Sequence, residues 1–198
     1  MIINNQKTRG FTLVETLVSL FIFGMMSVAL VNIFVSTLGT QTRILQNQDL
    51  MSQASYSLEY MGKLIRMAER DENGYCAPIG ESYGLGGSYP NNSITFLAYD
   101  SKAPGYRCIQ FLLEGNAIKE KRSTTDSLAD FQPAQAITSS SVYVITDGLY
   151  FSVTGDTALE SPPLQPKVTI LINMRYNILP APPYLTMQTT ISQRKLDI

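Results

Sequence analysis

With 198 residues, 15 basic against 16 acidic side chains and a net charge of −1, the chain lacks the basic excess that binding to a polyanion requires, so nucleic acid is not an expected partner. It has no histidine, and its two cysteines are not in C-x-x-C spacing. Metal sites, acid–base or nucleophilic catalysis, a cofactor and a small-molecule substrate are therefore not expected.

The first element is apolar. Phe11 to Leu38 is a run of 28 residues with one ionisable side chain, Glu15. As a helix it reaches roughly 40 Å, enough to cross a hydrocarbon core with tilt. A secretory signal peptide would have a shorter apolar core and a small-residue cleavage site, whereas Gly39-Thr40-Gln41-Thr42 reads as continuing helix. An ordinary single-span anchor explains the length but not Glu15, because a carboxylate inside an apolar span costs about 2 to 3 kcal/mol and calls for a partner. Its place near the helix start, where the dipole favours an anion, is the simpler account.

Lys7-Thr8-Arg9-Gly10-Phe11-Thr12-Leu13-Val14-Glu15 resembles the class III signal of type IV pilins and type II secretion pseudopilins. The resemblance implies a leader, residues 1–10, with positive charges at Lys7 and Arg9. It implies cleavage by prepilin peptidase between Gly10 and Phe11, N-methylation of Phe11 and a filament-assembly role for Glu15. The partners it implies are other minor and major pilins or pseudopilins, the peptidase, an inner-membrane assembly platform and membrane lipid. The α-amine freed by cleavage, cationic below a pKa of about 7.7 to 8.0, can pair with Glu15 of a neighbouring subunit inside the apolar bundle. Loss of the leader leaves 13 basic against 16 acidic residues, a charge of −3 before the new amine is counted. The leader charges and Arg43 favour a cytoplasmic N-terminus and an exported C-terminal part.

The implied fold is α+β and pilin-like: one long N-terminal helix, half in the membrane and half amphipathic, packed on an antiparallel β-sheet. The expected segments are residues 11–38 for the transmembrane half, 39–72 for the amphipathic half, 73–92 for a loop and 93–198 for a β-rich domain. In the amphipathic half Ile44, Met51, Leu58 and Ile65 recur every seven residues, joined by Ala54, Met61 and Ala68. This stripe is expected to pack on the chain's own domain. Gly24, Gly39 and Gly62 are the weak points of the long helix formed by the two halves together. A stop is expected within Glu69-Arg70-Asp71-Glu72-Asn73-Gly74. The acidic cluster there lacks the spacing of a calcium loop.

Strands are expected at 93–100, 106–114, 117–123, 142–146, 149–154, 167–177 and 184–194. Gly115-Asn116 signals a hairpin. Val168, Ile170, Ile172, Met174 and Tyr176 alternate inward, and Leu185, Met187, Thr189 and Ile191 repeat the pattern. Residues 123–141 read as a surface loop, and Pro162-Pro163 and Pro180-Ala181-Pro182-Pro183 punctuate the later strands. Cys76 and Cys108 suit a disulfide in an exported domain, worth roughly 3 to 4 kcal/mol; two separate buried thiols are the alternative. Lys119, Lys121 and Arg122 are the one basic cluster, a candidate for DNA contact in a pilus-tip subunit and otherwise a solvated strand edge. Asp147 and Asp156, each beside a glycine, read as turn residues.

Tyr56 to Ala68 and Met187 to Arg194 are similar to the J-type pseudopilin and the W-type minor pilin. Asn32 stands where many major pilins carry a helix-kinking proline, which favours a minor subunit. A membrane-anchored extracytoplasmic binding domain outside any filament is the competing function.

Overall fold

The computed structural model describes residues 10–86, 91–100, 104–156, 165–176 and 183–194. Lys7, Arg9, Pro162-Pro163 and Pro180-Ala181-Pro182 lie outside these residues. The chain divides into two compact units, Met1–Leu45 and Gln46–Ile198.

Helix α1 (Leu13–Ile65) starts two residues after Phe11. The reason is a cap: the Thr12 hydroxyl accepts the Glu15 N–H at 3.3 Å, and the Thr12 carbonyl accepts the Thr16 N–H at 3.2 Å. Thr12 and Glu15 occupy the T-x-x-E positions of a capping box. Within the first unit the helix is apolar and exposed on all sides, and one stretch is long and apolar enough to cross a membrane. Six of its hydroxyls donate to carbonyls within the helix, those of Thr16, Ser19, Ser27, Thr37, Thr40 and Thr42. Ser19, Ser27 and Thr37 each donate to the carbonyl four residues earlier, all at 2.8 Å, as a low-dielectric surrounding requires.

In the second unit the helix buries Leu50, Ala54, Ser57, Leu58, Met61, Gly62 and Ile65. At about 100° per residue, Leu50, Ala54, Ser57, Met61 and Ile65 fall within a sector of about 80°. The seven-residue stripe is therefore corrected at its start: Met51 and Ile44 are exposed, and Leu50 begins the buried face.

The expected stop between residues 69 and 74 is also corrected. The helix ends at Ile65 because Ala68–Glu69 is taken as strand β1, pairing with β3 (Ser93–Asp100) through Ala68↔Ala98 and Glu69↔Leu97. A tightened turn, Met67 N–H to Leu64 carbonyl at 3.0 Å, closes the helix, and the Tyr83 hydroxyl donates to the Ile65 carbonyl at 2.8 Å.

Residues 73–92 are not all loop: they include β2 (Tyr83–Gly86), which pairs with β3 beside β1. Then follow β4 (Gly105–Glu114), β5 (Ala117–Arg122), β6 (Gln135–Ala136), β7 (Val142–Thr154), β8 (Lys167–Tyr176) and β9 (Tyr184–Ser192). Gly115 and Asn116, at φ +63° and +62°, make the β4–β5 hairpin, a two-residue turn with both central residues left-handed. The expected loop at 123–141 holds β6 and a short 3-10 turn, Leu128–Asp130.

Where one sheet was expected there are two antiparallel sheets. Strands β1 to β6 form the first and β7-β8-β9 the second. The two strands expected at 142–146 and 149–154 are one, β7, with a register shift between Val144 and Leu149. The far edge of β7 is tied to the first sheet, since its Val144 N–H donates to the Asn116 carbonyl and its Phe151 N–H to the Asn91 carbonyl. One core joins helix and sheets, with Leu50, Met61, Ile65, Phe96, Phe111, Phe151, Ile170 and Ile172 nearly inaccessible. On β8 the expected alternation holds for Val168, Ile170, Ile172 and Met174, while Tyr176 is half-buried.

Candidate functional site

The residues singled out at the N-terminus lie together on one short stretch. Gly10 and Phe11 precede the helix in irregular, exposed backbone, and no heavy atom beyond its chain neighbours comes within 4 Å of a side chain built on Gly10. The Thr12 cap keeps the bond between them outside the helix. Glu15 sits in the first turn with its carboxylate exposed, and among the described residues no cation pairs with it.

Residues 5–31 match the family model described as the prokaryotic N-terminal methylation motif. This is the motif of the type IV pilin and pseudopilin class. It supports a role of that kind and points to a structural protein rather than an enzyme. The methylation motif overlaps the membrane-length part of α1, and together they are consistent with a single-pass, membrane-anchored chain. No curated protein and no solved structure matches the chain.

In the second unit Cys76 and Cys108 form a disulfide across 32 positions, with Cα atoms 5.3 Å apart. Leu97 is buried with them and Phe131 packs against the cluster. The bond ties the segment after β1 to β4, and such a bond persists in an oxidising compartment.

That segment has a second organiser which sequence reasoning assigned no role. Asp71 is fully buried, and its two oxygens accept four backbone N–H groups: Asn73 at 3.1 Å, Gly74 at 2.8 Å, Cys76 at 2.6 Å and Ala77 at 3.0 Å. Burial pushes the carboxyl up, but the donated backbone hydrogen bonds outweigh it and hold Asp71 below the ordinary carboxylate value. The sequence Asp71-Glu72-Asn73-Gly74 carried the signal, an aspartate two residues before an Asn-Gly turn, with Gly74 at φ +73°.

Asp156 does similar work across a longer span. It accepts the Ser82 and Tyr83 N–H groups at 2.8 to 3.0 Å, and burial raises its pKa despite those donors.

The basic cluster is largely spent on internal pairs. Lys119 lies 3.4 Å from Glu114, and Arg122 pairs with Glu120 on β5 and donates to the Tyr60 hydroxyl at 3.0 Å. Two of its three cations are thus held by carboxylates, which leaves a poor patch for nucleic acid.

Proposed function

We propose that this chain is a structural minor pilin or pseudopilin, processed by prepilin peptidase and assembled into, or priming, a type IV pilus or type II secretion pseudopilus. Hydrolysis of the Gly10–Phe11 bond frees an α-amine on Phe11, which is then methylated, and Lys7 and Arg9 leave with the leader. The observation that carries the reading is the register of Gly10, Phe11 and Glu15 inside the matched motif, directly before a membrane-length helix.

Glu15 pairs with the Phe11 amine of an adjoining subunit and sets vertical register. Inside the apolar bundle, removing one partner strands a buried charge at a typical cost of about 3 to 5 kcal/mol. The leader faces the cytoplasm, and the second unit faces the periplasm or the cell exterior, where the Cys76–Cys108 bond is stable. Asn32 in place of a kinking proline, and the similarity of 56–68 and 187–194 to J-type and W-type subunits, favour a minor subunit.

The test is intact mass and N-terminal sequencing of membrane-extracted protein, produced with and without a prepilin peptidase. A peptidase-dependent start at Phe11 with one added methyl group is expected, and Glu15→Gln should be processed normally yet fail to co-purify with sheared filaments. Retention of Met1 in both strains would overturn the reading.

A further inference from the structure

Strand β9 is the outer strand of the second sheet, and among the described residues no strand pairs with its far edge. The direction of its free hydrogen-bonding groups follows from the register. Tyr176 N–H donates to the Pro183 carbonyl at one end of the β8–β9 ladder, and Gln193 N–H to the Pro166 carbonyl at the other. Odd-numbered residues of β9 therefore exchange hydrogen bonds with β8. The N–H and C=O groups of Tyr184, Thr186, Gln188, Thr190 and Ser192 point away from the sheet. Arg194 obeys the same parity: its N–H turns outward and is taken by the Arg66 carbonyl at 3.1 Å, which closes that end of the edge.

Sheets usually blunt such an edge with a charge, a proline or a bulge. Tyr184 to Ser192 contains no charged residue and no proline, and its register with β8 runs unbroken from Arg175↔Tyr184 to Lys167↔Ser192. Beside the strand runs a groove of about 1030 Å³ between β9 and the end of α1. Met187 and Thr189 line one wall, and Lys63, Arg66 and Arg194 are exposed around it against one carboxylate, Glu59. Among the described residues none of the three cations is in an ion pair.

We infer that the free edge of β9 is a docking site for an extended, acidic segment of a partner protein, added to the sheet as a further strand. Backbone hydrogen bonds to the even-numbered residues supply affinity, and carboxylates facing Lys63, Arg66 and Arg194 supply selectivity. A second copy of this chain fits less well, because pairing β9 with β9 brings an uncharged strand and leaves the three cations without counterions. The inference concerns the second unit and holds whether or not the chain enters a filament.

The experiment uses the full chain in detergent micelles and a short fluorescent peptide alternating valine and aspartate. Its controls are the lysine counterpart and an acidic peptide N-methylated at alternate amides. The acidic peptide is expected to bind at least about tenfold more tightly than the lysine one, a difference of about 1.4 kcal/mol, and to slow amide exchange at Thr186, Gln188 and Thr190. N-methylation should abolish binding. Gln188→Pro removes one outward donor that no folded-state bond uses, so it should weaken binding at least tenfold with little change in the unfolding temperature. Lys63→Glu with Arg66→Glu should reverse the charge preference. Unslowed exchange at saturating acidic peptide, or binding indifferent to N-methylation and to Gln188→Pro, would overturn the proposal. So would a homodimer that Gln188→Pro dissolves, since the occupant would then be a second copy.

Discussion

The Tyr60 hydroxyl on α1 donates to Glu120 Oε2 on β5 at 2.7 Å, joining the amphipathic part of the helix to the first sheet. Arg122 closes the triangle, bonded to both. Burial, then the bond to Glu120, raises the Tyr60 pKa, so the neutral phenol is the form the fold uses. Tyr60→Phe is expected to lower stability by about 1 kcal/mol, and Glu120→Ala by roughly 1 to 2 kcal/mol, discounted because the Arg122 side chain retains 38% exposure. The double variant should cost less than the sum, since both changes remove the same bond. Urea unfolding of the four proteins in detergent checks this; strict additivity would show that the triangle is not an energetic unit. A raised phenol pKa contributes stability that is present below about pH 10 and lost above it. The alkaline loss should therefore be smaller in Tyr60→Phe.

Asp71 and Asp156 respond to acid in opposite directions. Asp71, with its pKa lowered, contributes stability that is present above its unfolded value and lost as pH falls through the folded one. Asp156, with its pKa raised, contributes stability that is present below its unfolded value and lost as pH rises through the folded one. Asp71→Asn should flatten the loss of stability below about pH 4, whereas Asp156→Asn should act above about pH 4, removing the stability that the parent gains as pH falls from neutrality toward the unfolded carboxylate value. At neutral pH Asp71→Ala leaves four backbone N–H groups without their acceptor and should cost at least about 2 to 3 kcal/mol. Thermal unfolding between pH 3 and 7 measures all three; an Asp71→Asn profile parallel to that of the parent would sink the assignment.

Gly148 marks the bend in β7. A Cβ there would lie 2.3 Å from the Asn173 carbonyl oxygen and 2.9 Å from that of Ile145, both backbone atoms that cannot step aside. Gly148→Ala is expected to destabilise by about 2 to 4 kcal/mol through forced movement of β8. Gly62 makes the contrast. Its added Cβ would meet Ile191 Cδ1 at 2.9 Å, the far end of a flexible side chain, and alanine gains about 1 kcal/mol of helix propensity. Gly62→Ala should therefore be close to neutral. Comparable unfolding midpoints for the two variants would refute this account of the bend.

Much of the second unit was legible because its signals are local. Both β3 boundaries, the Gly115-Asn116 hairpin and the inward set of β8 follow from alternation and turn chemistry, which act between near neighbours. The motif around Gly10, Phe11 and Glu15 is likewise a matter of spacing along the chain. The helix end was misplaced for the opposite reason. Nothing in Arg66-Met67-Ala68-Glu69 breaks a helix, and only pairing of Ala68 and Glu69 with Ala98 and Leu97, about thirty positions away, turns them into strand.

By itself the sequence determined an apolar helix of membrane length, a methylation motif in register with its one carboxylate, and a β-rich remainder. Spacing and hydropathy suffice for features that one segment carries alone. Tertiary structure decided the rest: two sheets instead of one, the buried hold of Asp71 on its loop, the closure of Cys76 on Cys108, and the free edge of β9. Each depends on which distant strands meet, and backbone hydrogen bonds between distant strands leave little trace in the side-chain pattern of either one.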